Sequence, residues 1–327
     1  MATYQGIKGR TVQNLTSDPP AAVGQGQVWY NTGTGTLKTS VAIGAWAAGG
    51  NLGTARYQIG GCGTQTAGVA WGGYPAPAAI TSEEYNGTAW TAANNMVNPR
   101  YQTSGQSSGT LTAGLACGGV ISTDSPSYSN FNESYDGTSW TANNDQNTGR
   151  SYQLAWGTQT AAVAAGGHPS SGEIKLTEEY DGTSWANSND LNDARQQCAG
   201  MGTQTAGIIA GSDNAPRQQV EEYDGSCWAT VTSLPVSKWA GFGMGIQTNS
   251  LYVAGKLTDG TLQTTSFAYD GTSWASSPAV GTARNSGGQG GSATAGLMMG
   301  GRVSSPAGEI YTEEFTLADT IQTITST

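Results

Sequence analysis

Tyr135-Asp136-Gly137-Thr138-Ser139-Trp140 recurs unchanged at Tyr180–Trp185 and Tyr269–Trp274. Near-copies stand at Tyr85–Trp90, with Asn86 for Asp and Ala89 for Ser, and at Tyr223–Trp228, with Ser226 and Cys227 in the fourth and fifth places. The leading tyrosines, at 85, 135, 180, 223 and 269, are separated by 50, 45, 43 and 46 residues, and a further 46 reaches Phe315. Glu313-Glu314 precede Phe315 as Glu83-Glu84, Glu178-Glu179 and Glu221-Glu222 precede Tyr85, Tyr180 and Tyr223. A period of this length marks an array of small supersecondary units, each too small to bury its own apolar face without a neighbour.

One unit, Arg150 to Trp185, shows what is repeated. A basic residue, Arg150, opens a strand-like run to Trp156, and Gly157-Thr158-Gln159-Thr160 forms a turn. The small apolar run Ala161–Ala165 ends in Gly166-Gly167, a loop carries His168-Pro169, and Leu176–Tyr180 leads to Asp181-Gly182 and Trp185. The pattern predicts four short strands, a to d, joined by hairpins. Asp-Gly is expected to form a two-residue hairpin turn because it tolerates positive φ. The paired glycines allow close backbone approach, and Tyr and Trp supply the apolar area that seals one sheet on the next. Paired glycines recur at Gly72-Gly73, Gly118-Gly119 and Gly300-Gly301, and degrade to Gly211-Ser212 and Gly255-Lys256. Basic residues open strand a at Arg56, Arg100, Arg150, Arg195, Lys238 and Arg284, which makes six units.

Gly-Gly, an acidic residue before Tyr-Asp, Trp, and a short loop ending in Asn98-Pro99-Arg100 together resemble the kelch repeat. The resemblance spans residues 36–317 and implies an all-β fold, a six-bladed β-propeller of kelch-like four-stranded blades. The sixth unit lacks the Asp-Gly turn and Trp after Phe315. Gly44-Ala45-Trp46 echoes Gly87-Thr88-Ala89-Trp90, so Val41–Trp46 is expected to supply the missing strand and close the ring.

Residues 1–35 lie outside the repeat and read as an extended arm with a hairpin, Gln27–Asn31 against Thr36–Ser40. The run Gly26-Gln27-Val28-Trp29-Tyr30-Asn31 followed by Thr34-Gly35-Thr36-Leu37-Lys38 resembles short modules of tail-fibre and other virion proteins of tailed bacteriophages. That resemblance implies attachment through residues 1–35, with Trp29 and Tyr30 as contact residues. It also implies a virion location after assembly in the host cytoplasm. The partners implied are other virion proteins of the capsid, tail or baseplate, and a glycan or protein of the host surface. Residues 318–327 form a polar, Thr-rich tail, read as a second docking arm or a frayed end.

Composition narrows the chemistry. Only 11% of residues are charged, Gly numbers 49 of 327, and the formal net charge is −10, which gives no electrostatic footprint for nucleic acid. The N-terminus lacks the basic-then-apolar pattern of a secretory leader and no run of 18 apolar residues occurs, so neither secretion nor membrane insertion is expected. Cys62, Cys117, Cys198 and Cys227 form no C-x-x-C pair and are expected to be free and buried. With one histidine, His168, in a variable loop, no metal site, no Ser-His-Asp set and no cofactor fingerprint is expected. The adjacent glutamates point to opposite faces of a strand and make a poor acid–base pair. The expectation is a binding protein rather than an enzyme.

The basic register leaves two readings open. Six basic side chains at one position of strand a would ring one mouth of a central channel and could hold an acidic ligand through bidentate guanidinium contacts. Alternatively each pairs with a glutamate of the ring, since Glu83, Glu133, Glu178, Glu221 and Glu313 occupy five of six equivalent places and Phe267 the other. A virion structural protein is the expected function; a cellular kelch-type scaffold and a carbohydrate-binding lectin are the alternatives, the last favoured by aromatics such as Tyr74 and Tyr128 in uneven loops.

Overall fold

The computed structural model describes residues 12–19, 27–75, 80–105, 109–121, 127–303 and 308–324. The expected arm at residues 1–11, the Gly24–Gly26 segment and much of the insertion around residues 122–126 lie outside the described residues. Two compact units emerge, Trp46–Thr316 and a smaller one made of Met1–Ala45 with Leu317–Thr327. The strands Thr36–Ala48 and Thr312–Thr323 contribute to both.

The large unit is a six-bladed β-propeller of four-stranded antiparallel sheets. Blade 3 serves as the type. Leu154–Thr158, Ala161–Ala165, Thr177–Tyr180 and Trp185–Asn187 pair in chain order, with Trp156 opposite Val163 and Tyr180 opposite Trp185. Blades 1, 2, 4 and 5 repeat this, starting at Gly60, Ser104, Ala199 and Phe242. Blade 6 takes Gly288–Gly291 and Ala295–Met299, then the Thr312–Thr323 strand, and ends with the Thr36–Ala48 strand from the front of the chain. The Trp46 ring lies 5.2 Å from that of Phe315, and the Gly49 N–H donates to the Thr312 carbonyl at 2.9 Å. The ring is therefore closed by an N-terminal strand, as Trp46 predicted.

The cores lie between neighbouring blades. Cys62, Val69 and Trp71 of blade 1 pack on Ala116, Tyr135 and Trp140 of blade 2. Trp156, Val163 and Ala165 of blade 3 pack on Ile209, Tyr223 and Trp228 of blade 4. Trp71 meets Trp140 edge-on at 5.2 Å, and Trp156 meets Trp228 at 5.8 Å. Each buried ring of this size removes about 150–250 Å² from water, roughly 4–6 kcal/mol as an upper bound. The repeated Trp is thus the main mortar of the ring.

Three local expectations are corrected. Asp181-Gly182 is not a two-residue turn: Tyr180 pairs with Trp185, so residues 181–184 form the loop. Within it Asp181 Oδ1 accepts the Thr183 and Ser184 N–H groups at 2.8 and 2.7 Å, and Gly182 takes φ +90°. The aspartate side chain acts as a cap, and Asp136, Asp224, Asp270 and Asn86 do the same. These backbone bonds hold the four aspartates below their usual carboxylate range. Second, the blade 5 counterpart of Gly-Gly is Ala254-Gly255, at φ +56° and +87°, rather than Gly255-Lys256. Third, Cys227 is exposed while the other three cysteines are buried, because it replaces the serine of the solvent-facing loop.

In the smaller unit, Val28–Asn31 pairs antiparallel with the start of Thr36–Ala48, Trp29 opposite Lys38. Gln13–Leu15 adds a parallel strand that no turn signal announced. Thr320 Oγ1 donates to the Val41 carbonyl, and Lys38 Nζ to Thr323 Oγ1 at 2.8 Å, so residues 318–323 continue a strand.

Candidate functional site at the centre of the propeller

The six basic residues do not begin strand a. Arg150 precedes a strand that starts at Leu154, and Arg195 one that starts at Ala199. From this entry segment Arg56, Arg100, Arg150, Arg195 and Arg284 turn inward and pair with Glu83, Glu133, Glu178, Glu221 and Glu313. All five arginines are essentially unexposed, at 0–1%. Arg150 also donates to the carbonyls of Leu176 and Ala164, stitching strands c and b. Each glutamate in turn accepts backbone N–H groups of the entry segment, as Glu83 does from Gly53 at 2.6 Å and Thr54 at 3.2 Å. Burial lowers the basicity of Arg56, Arg100, Arg150 and Arg284, and the partner carboxylate opposes that effect. The guanidinium groups are thus buried and ion-paired inside the blades, with the Nε atoms of Arg100, Arg195 and Arg284 left without a hydrogen-bond partner among the described residues, and they line no open channel mouth.

Lys238 has no glutamate, since Phe267 stands there. Its Nζ donates to the Thr265 carbonyl and Oγ1, and lies 5.2 Å from the Phe267 ring centre and 5.6 Å from that of Tyr252. Burial lowers its pKa to about 8.

Two residues beyond each basic residue the backbone turns left-handed: Gln58, Gln102, Tyr152, Gln197, Ala240 and Ser286 all have φ between +50° and +58°. Five backbone bonds link these six segments from blade to blade. Gln102 N–H donates to Gln58, Gln197 to Tyr152, Ala240 to Gln197, Ser286 to Ala240 and Gln58 to Ser286. The phenol of Tyr152 accepts the side-chain amides of both Gln58 and Gln102 at 2.6 Å, and burial raises its pKa to about 12. This ring encloses a space of about 110 Å³ lined by glutamines, among them Gln153, Gln197 and Gln289. Left-handed non-glycine residues are costly and cluster where the surroundings over-determine them. Three glutamines, a tyrosine, an alanine and a serine in that conformation carry no signature common to all six, which is why the sequence did not expose them.

Beside Tyr152 lies a second depression, of about 230 Å³, walled by Tyr101, Tyr128, Tyr152 and His168. His168 stands 5.6 Å from Tyr128, ring to ring, and bridges Ser151 through two backbone bonds. The single histidine is therefore built into a wall rather than hanging in a loop. Tyr74 is partly buried, packed between Tyr57 and Tyr101 at 5.4 and 6.0 Å.

In the smaller unit, Trp29 is buried, at 2% exposure, and its Nε1 donates to Asp18 Oδ1, which also accepts from Asn31 at 2.6 Å. Those bonds hold the Asp18 carboxyl below its usual range. Tyr30, on the alternate face of the strand, is exposed. Among the described residues no group of three or more His, Cys, Asp or Glu is placed to hold a metal ion.

These features define a six-bladed propeller with a polar, glutamine-lined centre. No family model and no curated protein sequence matches the chain. The solved structure of YjhT superposes with a TM-score of 0.70, covering 83% of this chain and 99% of that one at 13% identity, a likeness of fold alone.

Proposed function

We propose that this chain is a structural protein of a tailed-bacteriophage particle, on head or tail, whose propeller is a non-catalytic binding module. The observation that carries the reading is the N-terminal module. Its Gln27–Lys38 segment resembles virion-protein modules and forms the hairpin of a unit with its own buried Trp29 and Asn31, both bonded to Asp18. In this reading the expected contact pair divides: Trp29 holds the small unit together and Tyr30 faces a partner. The propeller contributes a rigid display body, because five of its arginines are consumed in buried pairs with glutamates and its centre offers amide and phenol groups. Peptide mass spectrometry of gradient-purified particles tests the assignment. The chain is expected at a stoichiometric copy number, retained through high-salt washing. Its absence from particles, with recovery as free protein from uninfected cells, overturns the reading.

A further inference from the structure

We propose that the depression beside Tyr152 is a binding site for a neutral sugar ring. The inference builds on the reading of the propeller as a binding module and assigns that module a ligand class.

Three observations point the same way. Tyr101, Tyr128 and Tyr152 present aromatic surface, and His168 completes the wall. The C–H bonds on one face of a pyranose carry a partial positive charge that suits the negative face of an aromatic ring. The polar groups at the site are amides and hydroxyls rather than free charges, as neutral hydroxyl recognition requires. At about 230 Å³ the space is below the roughly 300–1,000 Å³ of pockets for drug-sized ligands, the scale of a single ring.

Gln196 supplies the directional contact. It lines the depression, is only 8% exposed, and its Nε2 donates to Glu173 Oε1 at 3.3 Å and Asp213 Oδ2 at 3.0 Å. Those two carboxylates fix which end of the amide carries the donors. The Oε1 atom is left buried without a hydrogen-bond partner among the described residues. A buried acceptor with no partner is unfavourable, and a ligand hydroxyl would supply the missing donor. The same two carboxylates disfavour an anionic ligand at this position, and burial and the Glu173 charge already raise the pKa of Asp213. The walls are set before a ligand arrives: Tyr101 bridges Val120, Val120 bridges Tyr128, and Ser151 bridges His168.

His168 makes the site directly observable, because it is the only histidine in the chain and its imidazole signals in a proton NMR spectrum need no assignment. The intact protein is titrated with methyl α-glucopyranoside, methyl β-galactopyranoside and methyl N-acetyl-β-glucosaminide, with methyl glucuronide as the anionic comparison. At least one neutral glycoside is expected to shift the His168 signals with a Kd in the millimolar range. The glucuronide is expected to bind at least tenfold more weakly than that glycoside. Tyr128→Ala is expected to weaken binding at least tenfold with the melting temperature unchanged, and Gln196→Met to weaken it while Tyr128→Phe retains it. The proposal is overturned if no neutral glycoside moves the His168 signals at 50 mM (about fifty times a millimolar Kd), if the glucuronide binds as well, or if Tyr128→Ala binds normally. None of these outcomes bears on whether the chain is found in particles, so the two readings fail separately.

Discussion

Blade 6 meets blade 1 across one seam and blade 5 across another, and the two are built differently. Toward blade 1, three side-chain latches cross the seam. Tyr85 donates its hydroxyl to Glu314, Trp90 Nε1 donates to Thr312 Oγ1 at 2.9 Å, and Gln65 donates to the Phe315 carbonyl. The same devices recur elsewhere: Tyr135 to Glu84, Tyr223 to Glu179, Tyr269 to Glu222, Trp140 to Ser82, and Gln159, Gln204 and Gln247 to carbonyls of the preceding blade. Toward blade 5 none of these three latches forms. Phe315 replaces the tyrosine, Ala268 stands where the glutamate would, and Ala293 replaces the glutamine. Trp46 donates to the Pro278 carbonyl instead, and the buried Ser266 Oγ has no partner. The tyrosine and glutamate are lost together, which removes a hydroxyl and its acceptor without stranding either in the interior. The seam whose outer strand is supplied by the far end of the chain thus lacks the three repeated latches and is bridged instead by Trp46 to the Pro278 carbonyl and by the Gly243 N–H to Gln289 Oε1.

The largest effect should come from comparing the two tryptophans. Trp90 is 8% exposed and Trp46 only half-buried. Trp90→Ala should cost about 3–5 kcal/mol in urea unfolding, and Trp46→Ala less than half of that. Equal costs would show that the blade 5 seam is as tightly held as the other.

The lysine ahead of blade 5 should show itself through pH. Its pKa is lowered from 10.5 to about 8 by burial, so below pH 8 the fold carries a buried charge. Between pH 8 and 10.5 the folded lysine is neutral while the unfolded one is still protonated, so the unfolded state binds more protons and stability rises. The gain should be on the order of 3 kcal/mol and complete above pH 10.5. Subtracting the profile of Lys238→Met isolates it from the tyrosines, and a flat difference across that window would refute the assignment.

The smallest effect is a repair. Ala268→Glu with Phe315→Tyr should rebuild the latch, the pair being more stable than the sum of the single changes by about 1 kcal/mol. Ala268→Glu alone should not stabilise. Additive single effects would mean that the two positions do not meet across the seam.

The blades and the closing strand were legible because Tyr, Asp-Gly and Trp recur at fixed offsets, and because Trp46 precedes Trp90 by nearly one period. The latches were equally written in the repeat, as Gln in the a–b turn and the second Glu of each pair, but each was read within its own blade. A repeat shows which residues recur without showing that a side chain reaches the next copy. The turn was misread for a related reason: Asp181 is recognisable as a turn residue, yet whether its backbone or its carboxylate does the turning depends on strand register. The candidate site was the least legible part. Tyr101, Tyr128, Tyr152, His168 and Gln196 belong to loops and entry segments of three blades, and although Tyr101 and Gln196 both follow the basic residue of their unit, different residue types stand at that one position.

Local chemistry, repeated six times, was enough to specify the blade, the number of blades and the tryptophan that closes them, because strand period, turn residues and aromatic spacing act over a few residues. Folding of the whole ring was needed to assign the arginines to glutamates rather than to a channel, to choose the partners of each Tyr and Gln, and to gather the Gln196 amide, with its one unpartnered oxygen, and three tyrosines around one histidine. Those outcomes depend on which groups lose water together and which find partners, and that is settled only when distant segments pack.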